Sequence, residues 1–129
     1  MNYLLDTVTI IRYFSGHGRI GRKAKGIIAE AEGGKHLLVI SVISLFEIMY
    51  LAEKNRIRIS LSNTLSIIHQ KSCYQIAELT ADIVVEASKV KFYALHDRLI
   101  LATAKHLKLN ILSSDLRFDE LENFKRIWE

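Results

Sequence analysis

The sequence contains no proline, one cysteine and only six glycines among its 129 residues. The single thiol, Cys73, excludes an intrachain disulfide and is typical of proteins of the reducing cytoplasm. The longest apolar stretch, residues 37–46, is interrupted by Ser41 and Ser44 and is too short to cross a bilayer. The first residues resemble no signal peptide, because they lack both its basic and its long apolar segment. These absences predict a cytoplasmic protein with no membrane contact.

Half of the residues are apolar and a quarter are charged, which excludes an intrinsically disordered chain. A length of 129 residues is typical of one compact domain, and no repeat, low-complexity tract or linker divides the chain. We therefore expect a single domain over residues 1–129. The net charge is +4 at pH 7. Such a basic chain either binds a polyanion such as nucleic acid or carries the charge only for solubility.

Short apolar runs alternate with segments of helical spacing along the whole chain. Runs such as residues 3–5 and 37–40 are apolar on both faces, as the strands of a buried parallel sheet are. The predicted strands cover residues 3–5, 37–40, 74–79, 110–112 and 124–128. The predicted helices cover approximately residues 8–14, 22–32, 42–49, 62–70, 81–90 and 97–106, with a short helical turn before the last strand. This alternation predicts an α/β fold with three layers, α/β/α, around a mainly parallel central sheet.

Four carboxylates stand at or near the predicted ends of strands: Asp6, Glu47, Asp97 and Asp115. Each has a structural explanation of its own. Asp6 is placed to cap a helix, Asp97 lies at the positive end of one, Ser44-x-x-Glu47 matches a capping box, and Asp115 is placed to begin a turn. Four independent caps need not share one edge of a sheet, however. Together they indicate a site for a hard cation, Mg²⁺ or Mn²⁺, that binds oxygen ligands.

Other kinds of site find little support in the sequence. The five histidines show no paired spacing for zinc, and Cys73 stands alone. No G-x-x-x-x-G-K-[ST] or G-x-S-x-G motif is present. Gly16, Gly18 and Gly21 match the bare spacing of a dinucleotide loop but follow a predicted helix instead of a strand. The acidic residues therefore remain the best candidates for chemistry, and a magnesium site of this kind points to phosphoryl transfer or hydrolysis.

Four segments in order resemble the motifs of a PIN domain. They are residues 4–7 (LLDT), 40–48 (ISVISLFEI), 95–104 (LHDRLILATA) and 111–115 (ILSSD). Their order, spacing and total length are similar to those of the small stand-alone PIN proteins, most of which are VapC-like toxins of type II toxin–antitoxin modules. The resemblance covers essentially the whole chain. It implies a metal-dependent endoribonuclease that hydrolyses RNA phosphodiester bonds and leaves 3′-hydroxyl and 5′-phosphate ends.

The resemblance also implies roles for particular residues. The catalytic and metal-binding acids would be Asp6, Glu47, Asp97 and Asp115, with Mg²⁺ or Mn²⁺ as the cofactor. Supporting hydrogen bonds would come from Thr7, Ser44 and Ser113, the last of which stands where the family usually has threonine. Asp119 is either an auxiliary acid or an exposed turn carboxylate. The first candidates for binding RNA are Arg19, Arg22, Lys23 and Lys25, although a solvated helix face explains them equally well.

The expected partners are the RNA substrate, a cognate antitoxin that covers the acidic site and pairs an arginine with it, and a second copy of the chain in a homodimer. Two alternatives remain. A catalytically silent PIN-like domain would bind RNA or act as a scaffold. A receiver-like phosphoacceptor domain would also bind Mg²⁺, but it would need a second acid beside Asp6, where Thr7 stands, and a lysine after a late strand.

Overall fold

A computed structural model of the protein describes residues 1–91, 94–120 and 125–129. The five strands are β1 (Asn2–Leu5), β2 (Leu37–Ser41), β3 (Tyr74–Ala77), β4 (Asn110–Leu112) and β5 (Arg126–Ile127). The six helices are α1 (Thr7–Ser15), α2 (Arg22–Glu32), α3 (Val42–Glu53), α4 (Leu61–Gln70), α5 (Ala81–Ser88) and α6 (Leu95–Leu107). A 3₁₀ helix covers Leu116–Glu120. In the part of the chain that the structure describes, no helix is long and apolar enough to span a membrane.

The strands form one sheet in the order β3-β2-β1-β4-β5, and every described pair is parallel. The chain builds outward from β1 through β2 to β3, and then returns to the other side of β1 as β4. This reversal places the topological switch point at the boundary between the neighbouring strands β1 and β4. Ligands of α/β proteins bind at such a point, at the carboxyl ends of the strands. Leu5 of β1 pairs with Leu112 of β4, so the residues that follow the two strands lie close together.

The two faces of the sheet are covered by separate apolar cores, because successive side chains of a strand point to opposite faces. Tyr3 and Leu5 face a core that contains Ile28 of α2 and Ile68 of α4. Leu4, between them, faces a second core together with apolar residues of α6. The three-layer α/β/α fold with a parallel sheet is therefore confirmed.

Three local predictions need correction. The predicted capping box at Ser44 and Glu47 is wrong, since α3 begins at Val42 and its N-cap is Ser41, whose hydroxyl accepts the Ile43 amide at 3.0 Å. The strand predicted for residues 74–79 ends at residue 77, and the helix predicted from residue 97 begins at residue 95. For the strand predicted over 124–128, the described part is residues 126–127, and Phe124 lies outside the described residues.

Gly21, the N-cap of α2, lies directly against the end of β5. A Cβ atom at this position would lie 2.2 Å from the carbonyl oxygen of Trp128. The same oxygen accepts the backbone amide of Ala24 at 3.0 Å, which joins the first turn of α2 to the last strand. The missing side chain of Gly21 therefore lets the edge strand and the helix approach each other.

We expect Gly21→Ala to lower the free energy of unfolding by about 1–3 kcal/mol, because the added methyl group would force the backbone of α2 away from Trp128. Gly26→Ala is a matched control in the same helix, where a Cβ atom would meet nothing within 4 Å. It should raise the free energy of unfolding by about 0.5–1 kcal/mol, since alanine favours helix over glycine. Urea unfolding of both variants measures the two effects. Equal effects of the two substitutions would contradict the close approach at Gly21.

Candidate acidic site

A cavity of about 390 Å³ opens at the carboxyl ends of β1 and β4. All four carboxylates predicted for the site line it, so the fold brings them together at one place. The lining residues are Asp6, Thr7, Val8, Ile11, Arg12, Glu47, Leu51, Asp97, Ile100, Ser114, Asp115 and Arg117. The cavity thus combines four acids with two arginines, neither of which was a candidate from the sequence.

Asp6 is the most deeply buried of the four acids. Its carboxylate caps α1 by accepting the Thr9 amide at 2.9 Å, and it also accepts the Ser113 hydroxyl at 2.5 Å. Burial raises the pKa of Asp6. Hydrogen bonds from Ser113 and Thr9 lower it and offset only part of this increase. Asp6 is therefore a helix cap and a cavity-lining acid at once, because its side chain has two oxygens and the cap needs only one.

Ser113 joins the ends of the two central strands. Its hydroxyl donates to Asp6 and accepts the backbone amide of Asp115 at 3.0 Å. The side chain is fully buried, so these contacts are shielded from water. The arrangement fixes the loop after β4 relative to the end of β1, with Ser113 in the supporting position proposed for it from the sequence.

Glu47 is held by Thr7, the residue that follows Asp6. The Thr7 hydroxyl donates to a Glu47 carboxylate oxygen at 2.6 Å and lies 2.8 Å from the Ser44 hydroxyl. Ser44 and Glu47 lie on one face of α3, three residues apart, which brings both to the end of β1. Of the three hydroxyls expected to support the carboxylates, Thr7 contacts Glu47 directly, and Ser44 contacts Thr7. His96 lies on the other side, with Nδ1 3.3 Å from Glu47.

Arg117 pairs with two of the four acids. Its guanidinium group contacts Asp115 at 2.6 Å and Asp97 at 3.2 Å. Hydrogen bonds from Arg117 lower the pKa of Asp115. Burial raises the pKa of Asp97, and the charge of Arg117 opposes this increase while the negative charges of the other three acids add to it. The pKa values of the two partners of one arginine therefore shift in opposite directions, because desolvation dominates at Asp97 and the hydrogen bonds of Arg117 dominate at Asp115.

Arg117 and Arg12 were missed because long side chains reach places that sequence spacing alone does not reveal. For Arg117 a signal existed: it lies two residues after Asp115, whose carboxylate accepts its backbone amide at 3.0 Å in a turn. The turn at Asp115 is thus present as expected. Arg12 lies four residues after Val8 on α1, so both face the cavity.

The basic residues first considered for RNA binding do not line the cavity. Arg22, Lys23 and Lys25 are exposed in the first turns of α2, whose start contacts the end of β5 at the same edge of the sheet. Arg19 forms an ion pair with Glu129. Asp119 is also outside the cavity lining and pairs with Arg126 at 2.9 Å.

The chemistry of the cavity fits a hard divalent cation, because its acidic groups are carboxylates and supporting hydroxyls orient two of them. The described side chains are not grouped to bind such an ion in this conformation, however. Within residues 1–91, 94–120 and 125–129, no three acidic, histidine or cysteine side chains are grouped so that they could hold a metal ion. Between Asp97 and Asp115 the structure holds the guanidinium of Arg117.

Comparison with protein-family models matches residues 3–123 to the PIN domain, and the chain belongs to this family. The structure is similar to VapBC2 from Rickettsia felis, with a TM-score of 0.75, 17% identity and all of both chains covered. It is also similar to the Mycobacterium tuberculosis toxin VapC20, which cleaves the sarcin–ricin loop, with a TM-score of 0.73, 16% identity and coverage of 98% of this chain and 99% of that one. A toxin–antitoxin complex from Klebsiella pneumoniae matches with a TM-score of 0.63, 23% identity and coverage of 97% and 95%. Comparison with curated protein sequences gives no significant match.

We expect Asp97→Asn to stabilise the metal-free protein at neutral pH, by up to about 1 kcal/mol. The folded-state pKa of Asp97 is raised, so its ionised form is less stable in the fold than in the unfolded chain. This cost is absent well below the unfolded-state pKa of about 4, where both states are protonated, and it reaches its full value once the pH has risen through the folded-state pKa. Thermal unfolding in EDTA at several pH values measures it.

Asp119→Asn is the control for this measurement. Hydrogen bonds from Arg126 lower the pKa of Asp119, so its ionised form stabilises the fold at neutral pH and the substitution should destabilise it. The gain from Asp97→Asn should also disappear in acid. A loss of stability from Asp97→Asn at neutral pH would mean that this carboxylate acts only as a favourable charge at the start of α6.

Proposed function

We propose that this chain is a metal-dependent endoribonuclease and the toxin of a toxin–antitoxin pair. The observation that carries the proposal is the convergence of Asp6, Glu47, Asp97 and Asp115 on one cavity at the switch point of the sheet. Membership of the PIN family and similarity to VapC20, a toxin that cleaves the sarcin–ricin loop, support ribonuclease activity. A cytoplasmic location, where such a toxin meets its RNA, stays a prediction.

The four carboxylates would hold Mg²⁺ or Mn²⁺. When bound, such an ion supplies a Lewis acid that activates water and neutralises negative charge on the phosphate. Ser113 and Thr7 would keep Asp6 and Glu47 in fixed orientations by the hydrogen bonds already described. We propose water as the nucleophile, so the 2′-hydroxyl of RNA takes no part and the products carry 3′-hydroxyl and 5′-phosphate ends.

The arginines of the cavity would reduce the repulsion between four carboxylates and an RNA phosphate. Arg12 and Arg117 both line the cavity, and the exposed basic side chains at the start of α2 lie at the same edge of the sheet. We propose that the RNA backbone crosses the cavity and continues over Arg22, Lys23 and Lys25. Arg19 is a weaker candidate than these three, since it is already paired with Glu129.

A catalytically silent PIN domain is the second candidate function. The contact of Arg117 with both Asp97 and Asp115 favours it, because a cavity neutralised by its own arginine has less attraction for a cation. Cleavage of RNA by the purified protein separates the two candidates.

We expect Asp6→Asn and Asp97→Asn each to reduce metal-dependent cleavage of a mixed RNA pool by at least about 100-fold, because each removes a charged ligand from the cavity. Asp119→Asn is the matched control, since Asp119 lies outside the cavity and pairs with Arg126. Its activity should stay near that of the unaltered protein. Activity within about tenfold of the unaltered protein for both cavity variants would contradict the proposal.

We propose two protein partners. The similar structures from Rickettsia felis and Klebsiella pneumoniae are toxin–antitoxin assemblies, which supports an antitoxin that covers the acidic cavity. A homodimer is supported by an exposed apolar face on α3, formed by Val42, Phe46 and Tyr50, and continued by Leu95 at the start of α6. The Phe46 ring lies 6.0 Å from that of His96, so the two helices meet at this face. Exposed apolar patches of this kind are typical of protein interfaces.

We expect Phe46→Glu to raise the dissociation constant of the dimer by at least about 100-fold, because it places a charge in the proposed interface. Leu107→Glu, which alters an exposed leucine at the opposite end of α6, is the control. Light scattering coupled to size-exclusion chromatography measures the mass of each variant. A dimer that survives Phe46→Glu and is lost in Leu107→Glu would place the interface elsewhere.

A further inference from the structure

The guanidinium group of Arg117 contacts two of the four acids of the cavity, Asp97 and Asp115. Its Nε contacts both carboxylate oxygens of Asp115, at 3.0 and 3.1 Å, and its Nη2 contacts Asp115 at 2.6 Å and Asp97 at 3.2 Å. Both oxygens of Asp115 are therefore engaged by one cation. A fork of this geometry is among the strong pairings of arginine with a carboxylate.

The backbone that carries Arg117 is well anchored, whereas its side chain is half exposed. The Arg117 amide donates to the Asp115 carboxylate, and the next residue, Phe118, is buried in the core. The guanidinium group can therefore leave the acids by rotation of its own side chain, without any change in the 3₁₀ helix.

Arg12, the other arginine of the cavity, is placed differently. Among the described contacts, its guanidinium group donates to the Arg19 carbonyl oxygen at 3.1 Å, and no contact with a carboxylate is among them. Two arginines thus line the same cavity with the same charge, and one of them forms ion pairs with the acids that a cation would need.

We propose that Arg117 is an internal competitor of the divalent cation at the acidic cavity. The guanidinium group engages both oxygens of Asp115 and Oδ2 of Asp97, and its positive charge repels a second cation at the same carboxylates, so we expect binding of the ion to displace Arg117. The inference rests on the proposed function only in requiring that the cavity binds a divalent cation. Its consequence is a threshold: at low metal concentration the protein neutralises its own site, and the site opens as the ion displaces the arginine.

Binding of Mn²⁺, measured by calorimetry on the full chain, tests the competition directly. We expect Arg117→Gln to lower the dissociation constant for Mn²⁺ about three- to fivefold, the upper part of the range for loss of a partly exposed ion pair. Arg117→Lys keeps the charge and loses the fork, so it should give an intermediate value. Arg12→Gln removes the same charge from the same cavity, and its dissociation constant should stay within about twofold of the unaltered protein.

Thermal unfolding gives a second measure that does not depend on RNA cleavage. In EDTA, Arg117→Gln should unfold at a lower temperature than the unaltered protein, since the acids lose their counter-charge. Saturating Mn²⁺ should raise the unfolding temperature of Arg117→Gln by more than it raises that of the unaltered protein, because the variant binds the ion more tightly. Should Arg117→Gln fail to fold, Arg117→Lys carries the test.

The outcomes separate this inference from the proposed function. Equal affinity of Arg117→Gln and the unaltered protein for Mn²⁺, or an equal gain in Arg12→Gln, would overturn the inference alone. Failure of every variant and of the unaltered protein to bind Mn²⁺ would overturn both the inference and the proposed metal-dependent activity. Metal competition at Arg117 in a protein that leaves RNA intact would support the inference and contradict only the ribonuclease.

Discussion

The hydrogen bond between the buried Ser113 hydroxyl and Asp6 is the contact on which the acidic cavity depends. It joins the residues that follow β1 and β4, two strands more than 100 positions apart that lie in register at Leu5 and Leu112. Because Asp6 also caps α1 and Ser113 also holds the Asp115 amide, one contact positions two acids and a helix. The chemistry of the cavity therefore follows from the parallel pairing at the centre of the sheet.

The cavity is costly for the fold that contains it. Burial raises the pKa of Asp6 and of Asp97, so both are held in a setting that disfavours their ionised forms. Hydrogen bonds from Ser113 and Thr9 offset part of this cost at Asp6, and Arg117 offsets part at Asp97. Functional sites commonly reduce the stability of a protein in this way. The two extensive apolar cores stabilise the fold and offset the cost of the cavity.

The order of elements could be predicted because apolar periodicity is a local property, and α2 was predicted with its observed bounds at residues 22 and 32. The four acids could be placed at one edge of the sheet because parallel strands end together. The capping box was predicted wrongly because Ser41 and Ser44 both precede apolar helical residues, and only the real start of α3 decides between them. Arg12 and Arg117 were not found, since the direction of a long side chain depends on tertiary contacts, although the position of Arg117 two residues after Asp115 was a signal for it.

The central claim is that the four carboxylates form one cation site, and the position of a bound ion tests it most directly. Crystals soaked in Mn²⁺ and measured at the manganese absorption edge would locate the ion by its anomalous scattering. We expect one strong peak among the carboxylates of Asp6, Glu47, Asp97 and Asp115, with the guanidinium group of Arg117 displaced from both of its partners. Saturating Mn²⁺ that leaves the cavity without a peak and Arg117 still paired with Asp97 and Asp115 would contradict the claim.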